Sequence, residues 1–219
     1  IEVLAGHDAL DVATIPRPAP RLLATASARP PVVPMFARVR LPGEDGLHPD
    51  MAAAMDELTD ALGEQCFEVP LPGLFAEAEA QRRRINFAEM SKCYYGLERR
   101  GRAQMSAPLT AAIDEGKAVP VRDYLAALDW RALMNAALGE VFDRCDAILC
   151  PAALGPAPEG LESTGNAVLN GIWTLAGTPA VTVPLFNAEN GLPMGVQLIG
   201  RREDDARLLR TARWLAAHV

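Results

Sequence analysis

The stretch from Asp146 to Val219 constrains the fold most, because each of its segments announces its own structure. Ala147–Cys150 is a short apolar run stopped by Pro151, the pattern of a buried strand whose carboxyl end opens into a loop. The loop, residues 152–162, is rich in Pro, Gly and Ala. Ser163 and Thr164 then offer hydroxyl oxygens to the free N–H groups of a new helix. Leu169, Ile172, Trp173 and Ala176 recur at offsets of three and four, so they share its buried face. Gly177 ends the helix, with Pro179 two residues beyond. Ala180–Leu185 reads as a strand with Val181, Val183 and Leu185 on one side. Asn190-Gly191 is a strong hairpin signal, since both residue types tolerate positive φ. Gly195–Gly200 is the returning strand. Glu203, Asp204 and Asp205 place negative charge at the start of a last helix. Its stripe of Leu208, Ala212, Leu215 and Ala216 faces inward, and Arg207, Arg210 and Arg213 face water.

Upstream the signals are sparser. Ile1–Gly6 reads as the tail of a helix. Residues 8–31 carry Pro16, Pro18, Pro20, Pro30 and Pro31, so an extended surface crossing is expected. Residues 1–31 are accordingly set apart from a single α/β domain over 32–219. Val32–Leu41 holds a strand. Pro49 suits the first turn of a helix that buries Met51, Met55, Leu58 and Leu62 and stops at Gly63. Cys66–Leu71 is a short strand ending at Pro72. Leu74–Met105 is largely helical; Arg82–Arg84 and Arg99-Arg100 on it read as a solvated face with Glu77, Glu79, Glu89 and Glu98 as partners. A lid or a homodimer surface near Tyr94-Tyr95 is the sharper alternative. Val121–Cys145 is amphipathic, with Tyr124, Leu125, Leu128, Leu133 and Phe142 inward. Strands alternating with helices argue α/β, and the hairpin makes the sheet mixed.

Length, charge and cysteine spacing exclude several functions. At 219 residues and 50% hydrophobic content, the chain can build a sizeable core of one or at most two domains. No apolar run approaches the roughly 18 residues of a membrane span. A net charge of −7 disfavours nucleic acid and anionic membranes as partners. Cys66, Cys93, Cys145 and Cys150 form no Cys-x-x-Cys pair, and His7, His48 and His218 are scattered, so metal-ligand spacing is absent. The thiols read as reduced and buried, as in a cytoplasmic protein. Cys150 is better explained as core than as a nucleophile, and Asp143 with Asp146 as solvated or capping carboxylates than as a cation site. No cofactor motif occurs.

The phrases DAILCPA, STGNAVLNGIWTLAGTPAVTVP, NGLPMGVQLIGR and DDARLL resemble the C-terminal part of the amidase signature family, most of all its bacterial malonamidase-like members. IEVLAGHDALD and PDMAAAMDELTDALGE extend a weaker likeness upstream. The resemblance implies a mixed sheet covered by helices on both faces. It also implies hydrolysis of a carboxamide through an acyl-serine, with a Ser–cis-Ser–Lys triad and a small amide as substrate.

The only serines are Ser27, Ser91, Ser106 and Ser163, and the only lysines Lys92 and Lys117. None matches the triad of the resembled family, whose set lies upstream of the point where Ile1 begins. No catalytic residue is therefore assigned. The chain is expected to be a C-terminal fragment, inactive alone. A non-catalytic scaffold on the same fold, or a complementing half that another chain completes, is the alternative; the apolar Ala180–Leu185 strand would then need neighbours on both edges. By position in the family, Thr164, Gly165, Ala167 and Asn170 line the acyl side of the substrate cleft. A helix start after a strand-end loop suits that role, since it presents N–H groups and small side chains. The bland alternative is that Thr164 caps the helix and Asn170 faces water.

Overall fold

A computed structural model describes residues 2–11 and 14–219. Five strands form one sheet: β1 (Phe36–Arg38), β2 (Cys66–Glu68), β3 (Ala147–Pro151), β4 (Ala180–Asn187) and β5 (Pro193–Ile199). Their order is β2-β1-β3-β5-β4. β1 runs parallel to both β2 and β3, whereas β5 is antiparallel to β3 and β4. The mixed α/β architecture expected from the alternating pattern is therefore present.

β3 is central and buried along its whole length, which its unbroken apolar composition requires. Its alternate side chains feed two cores. Ile148 and Cys150 join Leu169, Ile172, Trp173, Met134 and Leu138 on one face. Ala147 and Leu149 join Met51, Met55, Leu58, Leu208 and Leu215 on the other. The first face is covered by α3 (Ala78–Cys93), α6 (Val121–Phe142) and α7 (Val168–Ala176), the second by α2 (Pro49–Leu62) and α8 (Asp205–His218). α1 (Leu22–Ser27) packs on α8, and α4 (Tyr95–Gly101) and α5 (Ala107–Lys117) lie beside α3. α3 and α5 approach closely because Gly116 has no side chain: a Cβ there would overlap the Phe87 carbonyl oxygen.

α2 buries the four residues its spacing predicts, starts at Pro49 and ends against Gly63, whose φ is +52°. Elsewhere the expectations need correction. Glu2–Leu4 form a turn rather than a helix tail, and Ile1 lies outside the described residues. The proline-rich segment is not wholly extended, since α1 interrupts it. α6 buries Ala127, Met134, Leu138, Val141 and Phe142, while Leu125, Leu128 and Leu133 are exposed. A helix apolar on most sides leaves its orientation to tertiary packing, and the smaller Ala127 and the flexible Met134 fit the close contact. On α8, Thr211 is buried where Ala216 was expected; Ala216 is exposed. Asn190-Gly191 is not a two-residue turn. Asn187 pairs with Pro193, so the loop spans 188–192, and of the two only Gly191 is left-handed, at φ +81°. Asn190 Oδ1 instead accepts from the Leu192 N–H at 3.1 Å. Cys93 is exposed, against the expectation of four buried thiols.

β4 occupies the edge of the sheet with β5 as its single strand partner, not a position between two neighbours. The Gly200 N–H donates to the Pro179 carbonyl, which fixes the ladder phase. Residues 179, 181 and 183 then face β5, and Ala180 and Thr182 turn their N–H and C=O groups outward.

Candidate functional site

The amino end of α7 is built by the loop between β3 and that helix. Pro151 ends β3, and the Ala152 N–H continues the pairing to the Gly195 carbonyl at 3.0 Å. The His48 N–H donates to the Leu154 carbonyl at 2.7 Å, tying the loop to the start of α2. Gly155 lies against His48, where a Cβ would come within 2.6 Å of the histidine's own Cβ. α7 begins at Val168, several residues later than the hydroxyls of Ser163 and Thr164 suggested. Ser163 Oγ instead accepts from the Gly165 N–H at 3.1 Å, in a turn where Gly165 takes φ +90°. The first orphan donor of the helix is met by Asn166, whose Oδ1 accepts from the Val168 N–H at 2.9 Å.

Thr164, Gly165, Ala167 and Asn170 are all exposed on this amino end. Thr164 is not a cap, and its hydroxyl has no partner among the described residues. The Ala167 carbonyl accepts from the N–H groups of Asn170 and Gly171, each at 3.0 Å. Asn170 does more than face water: its Oδ1 accepts from Gln197 Nε2 at 3.3 Å. The same amide nitrogen donates to the Pro151 carbonyl at 3.0 Å and the Leu169 carbonyl at 3.1 Å. Gln197 is 4% exposed. One buried amide thus joins the end of β3, the first turn of α7 and an outward asparagine. Sequence reasoning missed Gln197, although a glutamine inside the apolar run GVQLIG was the signal for it.

The serines and lysines do not converge. Ser91 Oγ donates to the Ala88 carbonyl, Ser106 Oγ caps α5 by accepting from the Leu109 N–H, and Lys117 Nζ sits on Glu98. No serine–lysine hydrogen bond occurs among the described residues. Cys150 is fully buried, out of reach of a substrate, and burial also pushes its thiol up. Asp143 pairs with Arg201 at 2.6 Å, and Asp146 accepts from the Met35 N–H at 2.9 Å. These carboxylates are structural, and no cluster able to hold a metal occurs among the described residues.

Beneath the neighbouring strand end lies a buried ion pair. Arg38 on β1 meets Glu44 through both guanidinium nitrogens, at 3.1 and 2.5 Å, with side chains 5% and 7% exposed. Burial pulls the Arg38 pKa down, but the hydrogen bonds and charge of Glu44 more than offset it and raise it above the ordinary value. A cleft of about 550 Å³ opens there between Arg38, Leu41, Glu68 and Phe75, at the carboxyl ends of the parallel strands.

The family model Amidase matches residues 1–209. Among curated relatives, a glutamyl-tRNA(Gln) amidotransferase subunit from Geobacter metallireducens is 29% identical across 97% of this chain and 50% of its own length. The protein of the same name from Anaeromyxobacter dehalogenans is 30% identical across 98% of this chain and 50% of its own. The chain thus spans about half the length of the curated relatives it matches. A solved structure described as an amidase superposes with a TM-score of 0.75 at 25% identity, over 88% of this chain and 47% of that one. A bacterial aryl acylamidase of the amidase signature family shares the fold, with a TM-score of 0.73 at 18% identity over 99% of this chain and 49% of that one.

Proposed function

The chain belongs to the amidase family, and from that membership we propose that it forms the acyl-side wall of an amide C–N hydrolase acting on a small carboxamide. In this reading Thr164, Gly165, Ala167 and Asn170 border the substrate, and the attacking serine and its lysine come from residues outside these 219. The serine hydroxyl adds to the amide carbonyl, the amine leaves with a proton, and water releases the carboxylate from the acyl-enzyme. The observation that carries the reading is the Gln197 brace, which holds Asn170 and the first turn of α7 at fixed positions on an exposed rim. The dispersed serines and lysines support the division of labour.

Two measurements test it. Ammonia release from simple carboxamides by the 219-residue chain alone is expected to equal the no-protein control; turnover would overturn the assignment of the nucleophile. In a longer protein carrying this chain, Thr164→Val and Asn170→Ala are expected to raise KM about tenfold, the loss of roughly one hydrogen bond. Unchanged KM in both variants would remove these residues from the pocket.

A further inference from the structure

We propose that the cleft between residues 27–33 and α8 is a binding site for a small organic oxyanion, a carboxylate or phosphate monoester with an apolar body. The cleft has a volume of about 700 Å³, within the range of small-molecule sites. Arg29 enters from the strap, Arg210 and Arg213 from α8, and no carboxylate lines it. The strap from Ser27 to Pro34 contains no acidic residue.

The charges are uncompensated. Arg207, one turn earlier on α8, is neutralised by Asp204 at 3.1 Å and Asp146 at 3.5 Å. Arg29, Arg210 and Arg213 have no ion-pair partner among the described residues. Three arginines lining one cleft in a protein of net charge −7 form a local field opposite to that of the whole molecule. The carboxyl end of α8 opposes an anion with about half a unit of negative charge, and the α-carboxylate of Val219 adds one more in the 219-residue chain, fewer than the three positive charges of the arginines. Guanidinium groups match the paired oxygens of carboxylates and phosphates.

The walls are apolar and preset. Pro30 and Pro31 fix the strap and carry no N–H, so a ligand meets little reorganisation. Val33 and Trp214 supply apolar surface. The indole of Trp214 is held between Phe36, at 6.0 Å, and the stacked imidazole of His218, at 4.2 Å. His218 Nδ1 donates to the Trp214 carbonyl at 2.7 Å, which locks that stack.

The test follows the Trp214 indole N–H of the 219-residue chain by NMR, its signal identified by Trp214→Phe. Phenyl phosphate and benzoate are expected to shift it saturably with Kd on the order of 1 mM at low salt, weakening as salt rises. Benzyl alcohol should leave it in place, and inorganic phosphate should bind several-fold more weakly than phenyl phosphate. Arg210→Gln with Arg213→Gln is expected to weaken binding at least about tenfold, while Arg99→Gln with Arg100→Gln, which removes equal charge elsewhere, leaves it unchanged. Arg29→Gln, on the strap, must also weaken it and answers the question should the helix double variant fail to fold. Absence of saturation by ~20 mM phenyl phosphate, roughly twenty times the expected Kd, overturns the proposal. Equal binding by the helix double variant does so too, and inorganic phosphate binding as tightly as phenyl phosphate overturns the organic ligand.

Discussion

Gln197 sits where three acceptors would otherwise be buried or left unanchored. Replacing it by Leu keeps the volume and removes the donor, taking the side-chain hydrogen bond from the buried Pro151 carbonyl and the second one from the Leu169 carbonyl. A loss of about 1–3 kcal/mol in urea unfolding is expected for Gln197→Leu, the usual penalty of an unsatisfied buried group. The thiols offer a second check at this scale. Burial raises Cys145 to about 12 and raises Cys150 as well, whereas Cys93 is exposed. Iodoacetamide at mildly alkaline pH should therefore modify Cys93 in the native chain and leave Cys145 and Cys150 intact, as peptide mass spectrometry would show. Residue types such as these were legible in the sequence only where the chemistry is local. The hydroxyls of Ser163 and Thr164 before a helix were visible, but which hydroxyl or amide served which N–H was not. Short polar side chains compete for the same orphan donors, and Asn166 took the place expected for Ser163 and Thr164. The role of Gln197 depends on contacts 28 and 46 residues away, which no spacing rule reaches.

At the scale of elements, a cluster of ion pairs ties α4 to α5, beside the packing of α5 on α3 through the buried Ile113 and Gly116. Glu98 binds Lys117 and Arg102, and Arg102 also binds Asp114 at 2.6 Å. The hydrogen bond from Lys117, with a further one from Arg102, outweighs burial and holds the Glu98 carboxyl below its ordinary pKa, and Arg102 does the same for Asp114. A depressed carboxylate stabilises the fold above its unfolded pKa, and that contribution disappears as pH falls through the lower folded value. Glu98→Gln should thus lower the urea midpoint at neutral pH and have little effect once the solution is more acidic than the carboxylate range. Equal effects at both pH values would place the stabilisation elsewhere. Elements with one strong period, α2 and α7 above all, were readable because a single apolar stripe admits one orientation. α6 was not, because Leu125, Leu128 and Leu133 mimic a buried face that the fold turns outward. β4 looked like an interior strand by composition, yet its Ala180 and Thr182 alternate outward at an edge.

For the whole molecule, the order β2-β1-β3-β5-β4 joins two kinds of connection. The β4–β5 pair closes between Asn187 and Pro193, whereas the contact of the Met35 N–H with Asp146 closes over 111 residues. Loop-closure entropy rises with the logarithm of length, so the long closure costs roughly 2.5 kcal/mol more than the short one. During refolding, pulse-labelled amides of Val181 and Val183 should gain protection before that of Ala37. The parallel half of the sheet then assembles on a hairpin already formed, and the interval before it does so is the time when the chain's long apolar strand, β3, stands open to aggregation.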